Sequence, residues 1–291
     1  MPCHATLAVL LAGWPGPKED FLADHARWKQ ARESRLSAPD GWLAVVGLHW
    51  LAPGENPFGS DPGAAIPLPG SGLPARGGSL VLEGGKVRLS LLPGVALAQG
   101  GAPAREGVLR TDRDGKADLF ESGSVTFHVI QRGERFAVRV KDSETPARKS
   151  FKGVPQWTPD PAWRVSGSFV PYPKPRRVDI PTVLGTTEPM QAPGVVHFRL
   201  KGRDHSLMPV QDRPGGDFFF IFKDRTSGGD SYPAGRFLYA APPKDGKVVL
   251  DFNRAINPPC AFTEFATCPL PPPQNGLKVR IEAGEKKVGS H

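Results

Sequence analysis

The chain has 291 residues and a formal net charge of +8, with 39% hydrophobic and 23% charged residues. These values are ordinary for a globular protein, and the length suffices for one large domain or two small ones with a buried core. Glycine (34) and proline (33) are frequent but follow no period, which excludes collagen and is typical of short strands joined by tight turns.

The positive charge is dispersed, which disfavours a nucleic-acid partner. The densest basic stretch, 174–177, has only four residues, and aromatic residues do not alternate with it as a single-strand binder requires. No apolar run reaches the roughly 20 residues of a membrane span, so we predict no transmembrane segment. The oligomeric state stays open.

Residues 1–16 are predicted to be a signal-like or disordered N-terminus. Their apolar run resembles the central region of a signal peptide, but the usual positive residues before it are missing. We therefore favour a cytoplasmic protein over one exported through an atypical signal. Cys3, Cys260 and Cys268 are too few for a disulfide framework.

Residues 17–41 contain the one predicted helix. Within 18–36, large side chains recur at helical spacing, namely Phe21, Leu22, His25, Trp28 and Ala31. Because His25 lies on this apolar face, we interpret it as a packed histidine rather than a ligand.

From Trp42 onward the pattern is one of short strands. The apolar run 42–51 predicts a buried strand, and glycine-containing turns at 83–85 and 132–134 predict two hairpins. Further strands are predicted at 163–170, 177–184, 195–200, 217–223, 236–240, 247–252 and 277–283. The predicted fold is mainly β, with antiparallel sandwich or barrel-like units and one N-terminal helix. We place an N-terminal β-unit at 42–155 and a C-terminal β-unit, carrying the candidate site, at 156–291.

Two loops of the C-terminal unit are candidate ligand-binding segments. The glycine-punctuated loop 224–236 could hold an anion through backbone N–H groups and Arg236, and it also contributes Asp224, Thr226 and Tyr232. The alternative is a loop closed by an Asp224–Arg236 ion pair.

The second segment, 251–268, contains Asp251, Asn253 and Asn257. Strand alternation would place Asp251 and Asn253 on one face, where they could contact a ligand's hydroxyls or a cation. The alternative is that these short polar side chains satisfy backbone groups of the loop.

Cys260 and Cys268 are structural or metal candidates. They could be inert thiols, a disulfide, or two ligands of a zinc site that other residues would have to complete. Nucleophilic cysteine chemistry would also need a base near the thiol.

We do not assign the charged residues elsewhere to a functional site. Arg132, Arg139, Asp142 and Arg148 are taken as a solvated strand face rather than a pocket wall. Glu282 and Glu285 could serve as an acid–base pair only if the fold brings them together.

Four blocks in order resemble an uncharacterised bacterial and archaeal family, domain of unknown function 1684. They begin with Trp42-Leu43-Ala44-Val45-Val46-Gly47-Leu48, Val129-Ile130-Gln131-Arg132-Gly133, Asp224-Arg225-Thr226-Ser227-Gly228 and the stretch that closes with Ile281-Glu282-Ala283-Gly284-Glu285-Lys286. The resemblance implies kinship and no activity.

Our first hypothesis is a protein that binds a small polar molecule or anion at loops 224–236 and 251–268. One alternative is a hydrolase that uses Asp251 or a glutamate, with or without a metal. Another is a structural or interaction module. The catalytic residues, if there are any, stay unknown, and no cofactor beyond a possible zinc ion is indicated.

Overall fold

The computed structural model describes residues 17–211, 213 and 215–289. The signal-like or disordered segment predicted at 1–16, which includes Cys3, lies outside the described residues.

The described chain consists of many short strands with one long helix at its start. The helices are α1 (Pro17–Leu36) and α2 (Pro146–Lys149), and the strands are β1 (Val45–Trp50), β2 (Gly54–Gly59), β3 (Ile66–Pro67), β4 (Gly78–Glu83), β5 (Lys86–Leu91), β6 (Ala98–Gln99), β7 (Ala102–Pro103), β8 (Gly107–Val108), β9 (Leu119–Ser122), β10 (Val125–Arg132), β11 (Arg135–Asp142), β12 (Arg164–Pro181), β13 (Thr187–Leu200), β14 (Arg203–Leu207), β15 (Phe218–Phe222), β16 (Arg236–Ala240) and β17 (Lys247–Asp251). The predicted mainly β fold with an N-terminal helix is confirmed.

The first half of the chain forms two packed sheets. A six-stranded sheet has the order β1-β11-β10-β9-β6-β7, and a five-stranded sheet has the order β3-β2-β4-β5-β8. The pairs in these sheets are antiparallel, apart from the parallel pair β2–β3. Alternate residues of both sheets meet in one core, where the ring of Phe127 lies 5.6 Å from that of Phe58 and 5.3 Å from that of Phe120.

Both predicted hairpins are present. Strands β4 and β5 are joined through Gly84 and Gly85, whose φ angles are +56° and +70°, and β10 and β11 turn at Gly133, whose φ is +59°. A side chain at a left-handed position is strained, so glycine is the residue that permits these tight connections.

Two strand predictions were wrong. In the run 42–51, Trp42–Ala44 is a 3₁₀ turn and only Val45–Trp50 is a strand, which is partly rather than fully buried. The segment 277–283 is not a strand: its Leu277 and Val279 bond to the backbone of Lys223 and Arg225, but from Ile281 onward its backbone groups bond to the side chains of Arg236 and Asp224.

The second half of the chain forms a four-stranded sheet, β14-β13-β12-β17, and the two-stranded sheet β15-β16. Two strands predicted separately at 163–170 and 177–184 form the single strand β12, whose register shifts between Pro171 and Arg176. Proline has no N–H for a ladder, so the irregular stretch lies where Pro171, Pro173 and Pro175 occur. Phe198, Phe222 and Phe252 pack in the core between these sheets.

Helix α1 packs on the C-terminal part of the chain. Arg32 Nε bonds to Glu285 Oε1 at 3.0 Å, and His25 Nε2 lies 3.2 Å from Gln156 Oε1. His25 is buried, as the sequence predicted. Among the described residues, no helix combines the length and apolar character needed to cross a membrane. The boundary predicted between the β-units at 155/156 stays a prediction.

Candidate functional site

The loop between β15 and β16 is built around a buried ion pair. Arg236 is 0% exposed, and its Nη2 atom donates to Asp224 Oδ2 at 2.7 Å and to the carbonyl of Ile281 at 2.9 Å. Its Nη1 atom donates to the carbonyl of Ala283. Burial lowers the pKa of Arg236, and the nearby Asp224 carboxylate opposes that effect. The ion pair that the sequence offered as the alternative to ligand binding is therefore present.

Thr226 and Tyr232 also contact protein groups. Thr226 N donates to Asp224 Oδ1 at 2.7 Å, and Thr226 Oγ1 lies 2.7 Å from Ser231 Oγ. The hydroxyl of Tyr232 donates to the carbonyl of Cys260 at 2.8 Å. This last bond joins loop 224–236 to loop 251–268, so the structure brings the two candidate loops together.

In the second loop, Asp251 and Asn253 hold a turn. Strand β17 ends at Asp251, and a 3₁₀ turn, Phe252–Arg254, follows directly. Asp251 Oδ1 accepts from the backbone N of Asn253 at 3.1 Å and from its Nδ2 at 2.9 Å. Asn253 then bonds to both the N and the carbonyl of Asp160, at 3.0 and 2.9 Å. These contacts match the alternative in which the polar side chains satisfy groups of the loop itself rather than a ligand.

Asn257 and Glu285 form a second buried network beside the ion pair. Glu285 Oε2 accepts from Asn257 N at 2.6 Å, and Asn257 Nδ2 donates to the carbonyl of Lys286 at 2.8 Å. Burial raises the pKa of Glu285, and Arg32 opposes the rise. The structure does not pair Glu285 with Glu282, which instead bonds to Arg280 at 3.0 Å.

Each of the seven residues predicted to contact a ligand bonds to protein in this structure. As ligand contacts they stay a prediction, and none of them lines the cavity that we describe next.

A cavity of about 200 Å³ lies beside these networks, and we call it the arginine pocket. Its walls come from both halves of the chain and from parts of the sequence far apart. The lining residues are Trp42, Arg132, Arg139, Glu188, Phe237, Pro259, Thr267, Cys268 and Pro269. Loop 251–268 therefore contributes to the pocket through Pro259, Thr267 and Cys268.

Arg139 is the unusual residue of the arginine pocket. It lies in the middle of β11, is 7% exposed, and its guanidinium is 5.0 Å from the ring of Trp42. Its Nε and Nη2 atoms have no hydrogen-bond partner within the described part of the chain. Burial, and then the charge of Arg132, lowers the pKa of Arg139 to about 10. The predicted solvated strand face was therefore wrong for Arg139.

Arg132, by contrast, has hydroxyl and carboxylate partners. Its Nη1 atom donates to Asp112 Oδ2 at 2.7 Å, and its Nε atom lies 3.0 Å from Thr267 Oγ1 and 3.4 Å from Glu188 Oε1. Asp112 and Glu188 together balance the charges of Arg132 and Arg139, but both carboxylates bond to Arg132, so Nε and Nη2 of Arg139 have no hydrogen-bond acceptor among the described residues.

Both cysteines are free thiols, and Cys268 lines the arginine pocket. Cys268 is buried, Cys260 is partly exposed, and the backbone N of Cys260 donates to Cys268 Sγ at 3.2 Å. Hydrogen bonding between the thiols lowers the pKa of Cys260 and raises that of Cys268. No group of three or more potential metal-ligating side chains occurs in the described ranges.

The fold and this site define a mainly β protein with a small cationic pocket between its two halves. Residues 149–286 match the sequence profile of the family described as Protein of unknown function (DUF1684), and the chain belongs to that family. Among the curated proteins, none matches this chain.

Two solved structures are similar to parts of the chain. One is the solution NMR structure of the uncharacterized protein from gene locus rrnAC0354 of Haloarcula marismortui, which is 32% identical, with a TM-score of 0.43 over 50% of this chain and 83% of that one. The other comes from a structural and functional analysis of phosphothreonine-dependent FHA domain interactions. It is 21% identical, with a TM-score of 0.23 over 33% of this chain and 95% of that one.

Proposed function

We propose that this protein binds a small oxyanion in the arginine pocket, with Arg139 as the principal contact. The observation that carries the proposal is a guanidinium that is 7% exposed, lines a cavity and leaves Nε and Nη2 without partners in the described chain. A buried cation of this kind is costly unless an anion or hydrogen-bond acceptors compensate it.

The cost is reflected in the pKa of Arg139, which burial lowers to about 10. Burial therefore disfavours the charged form by about 3 kcal/mol. A carboxylate or phosphate that accepts two parallel hydrogen bonds from the guanidinium would offset much of this cost.

The size of the pocket limits the ligand to a small molecule. A volume of about 200 Å³ is below the roughly 300–1,000 Å³ typical of drug-sized ligands. It equals the liquid volume of about seven water molecules. Phosphate, sulfate, acetate and short dicarboxylates fit this volume, whereas nucleotides do not.

The sequence-based hypothesis placed anion binding at loops 224–236 and 251–268, and the proposed site is the arginine pocket beside them. Loop 251–268 contributes Cys268 to the pocket wall, and Tyr232 of loop 224–236 bonds to the carbonyl of Cys260. Free thiols at the pocket edge favour the reducing cytoplasm as the compartment.

The proposal is tested by isothermal titration calorimetry on the full chain. Sodium phosphate, sulfate, acetate and malonate are titrated separately at one fixed ionic strength, because exposed charges respond to salt. We expect at least one anion to bind, and to raise the unfolding free energy by about 2.7 kcal/mol at a hundred times its Kd.

The decisive variant is Arg139→Gln, and Arg135→Gln is its matched control. Arg135 lies on the same strand but is exposed, over the ring of Trp50. We expect Arg139→Gln to abolish binding and Arg135→Gln to preserve it. Equal affinity in the wild type and in Arg139→Gln would refute the proposal, as would no binding of any of the four anions at millimolar concentrations.

A further inference from the structure

We propose that Cys260 and Cys268 form a peroxide-sensitive dithiol, in which Cys260 reacts first and Cys268 then closes a disulfide. This proposal does not require anion binding, because it depends on the two thiols and on Tyr232, although Cys268 also lines the arginine pocket. Three observations support it: the thiols are adjacent, they differ in exposure, and they have different hydrogen-bond partners.

The adjacency comes from the path of the loop between the cysteines. Cys260 lies in a 3₁₀ turn, Pro259–Ala261, and the chain returns so that Cys268 Sγ accepts from the backbone N of Cys260 at 3.2 Å. The buried Ala261, Ala266 and Phe262 hold the intervening segment. Cys268 Sγ therefore lies against the backbone of Cys260.

The difference in exposure assigns the first step to Cys260. This residue is partly exposed, whereas Cys268 is 4% exposed and packs with Ile180, Val210 and Phe237. A solvent-borne oxidant therefore reaches Cys260 before Cys268.

The hydrogen bonds favour the same order. Hydrogen bonding with the Cys268 thiol lowers the pKa of Cys260, burial opposes this, and the neighbouring Tyr232, whose hydroxyl donates to the Cys260 carbonyl, lowers it further. The thiolate is the nucleophilic form, so Cys260 is the more reactive sulfur at neutral pH. The Cys260 thiol and burial raise the pKa of Cys268, and the positive charge of Arg139 acts in the opposite direction.

The chemistry balances with hydrogen peroxide as the oxidant. The Cys260 thiolate attacks one peroxide oxygen, so that an S–O bond forms, the O–O bond breaks and hydroxide leaves with the electron pair. Cys268 then loses its proton to solvent and attacks the sulfenic sulfur, which forms the S–S bond and releases a second hydroxide. Both hydroxides take up protons as water, so that two thiols are oxidised while one peroxide is reduced to two waters.

The first experiment measures the product. The full chain is treated with a small molar excess of hydrogen peroxide, and peptide mapping by mass spectrometry locates any bond, which separates a Cys260–Cys268 link from a bond to Cys3. We expect the peptides that contain Cys260 and Cys268 to be joined, with the loss of two hydrogens, and dithiothreitol to reverse the change. Oxidation of Cys260 to the sulfinic acid without a link to Cys268 would overturn the proposal.

Variants test the order of the two steps. In Cys268→Ser the sulfenic acid on Cys260 should persist and react with dimedone, whereas in Cys260→Ser oxidation at Cys268 should slow by about tenfold or more. Equal rates at the two cysteines, or faster oxidation at Cys268, would overturn the assigned order.

The last variant examines Tyr232. Tyr232→Phe should slow the oxidation of Cys260 at pH 7 by about threefold to tenfold, since a higher pKa leaves less thiolate, while Tyr172→Phe on β12 should leave the rate unchanged. Equal rates in the two tyrosine variants would show that Tyr232 does not activate Cys260. The oxidation assays contain no phosphate, sulfate, acetate or malonate, so failure of the dithiol is distinguishable from failure of the anion site.

Discussion

Replacing Asp224 by asparagine should destabilise the protein more than any comparable change in the same loop. The side chains of Asp224 and Arg236 are 1% and 0% exposed, and the two groups are 2.7 Å apart. The substitution leaves a buried cation without its carboxylate while it hardly changes side-chain volume. Loss of one partner of a buried ion pair typically costs about 3–5 kcal/mol.

The matched control is Asp230→Asn, six residues further along the same loop. Asp230 pairs with Arg280 at 2.5 Å, but its side chain is 54% exposed. Exposed ion pairs contribute about 0–1 kcal/mol, so we expect a loss of less than 1 kcal/mol. The two variants thus remove the same charge from one loop in different environments.

The measurement is equilibrium unfolding in urea, followed by tryptophan fluorescence. Trp157 is a useful reporter because its ring lies 5.2 Å from the guanidinium of Arg236. If the chain unfolds in more than one transition, the loss should appear in the transition that includes Trp157. A loss in Asp224→Asn below about 1 kcal/mol, or no larger than that in Asp230→Asn, would refute the reasoning.

Three further predictions concern other buried groups. Burial is the main reason that the pKa of His128 is lowered from 6.5 to about 4. Because the unfolded state binds the proton more tightly, the free energy of unfolding should decrease as the pH is lowered from 6.5 to 4. Urea titrations at several pH values should show a decrease about 3 kcal/mol larger in the wild type than in His128→Asn. Asn275 bonds to Met208 N at 2.8 Å and to the carbonyls of Met208 and Ile221 at 2.9 Å; Asn275→Ala should therefore cost about 2–4 kcal/mol, against less than 1 kcal/mol for the exposed neighbour in Gln274→Ala, and equal losses would contradict this. A Cβ at Gly235 would lie 2.5 Å from the carbonyl of Phe222, whereas one at Gly246 meets nothing within 4 Å; thermal unfolding should show Gly235→Ala to be about 1–3 kcal/mol less stable than Gly246→Ala, although both have positive φ, and the reverse order would be inconsistent with the clash.

Local patterns allowed much of the fold to be predicted. The hairpin turns at Gly84–Gly85 and Gly133 depend on residues adjacent in sequence, and strand β16 occupies the predicted range. The segment 277–283 has the composition of a strand, but its carbonyls serve a buried arginine more than forty residues away. A contact between residues so far apart leaves no local sequence pattern, so the strand prediction for 277–283 failed.

The arginine pocket could not be predicted from the spacing of residues in the sequence, for the same reason. Its walls combine Trp42, Arg139, Glu188 and Cys268, which only the fold brings together. One signal was available: Arg139 interrupts the apolar run from Phe136 to Val140, and a buried cation is an informative exception because arginine is mostly exposed. The loops at 224–236 and 251–268 were chosen as candidates because their polar residues are close together in the sequence, and ligand binding there stays a prediction.

The contacts of residues 281–285 have a consequence for the order of events during synthesis. Arg236 obtains its carbonyl acceptors from Ile281 and Ala283, and Arg32 of the first helix obtains its carboxylate from Glu285. The ribosome makes these cations long before their partners emerge from the exit tunnel. We therefore expect nascent chains that stop before residue 281 to remain protease-sensitive around Arg236 and helix α1, while the earlier sandwich already resists cleavage. The C-terminal half would then reach its native state only after translation has passed residues 281–285.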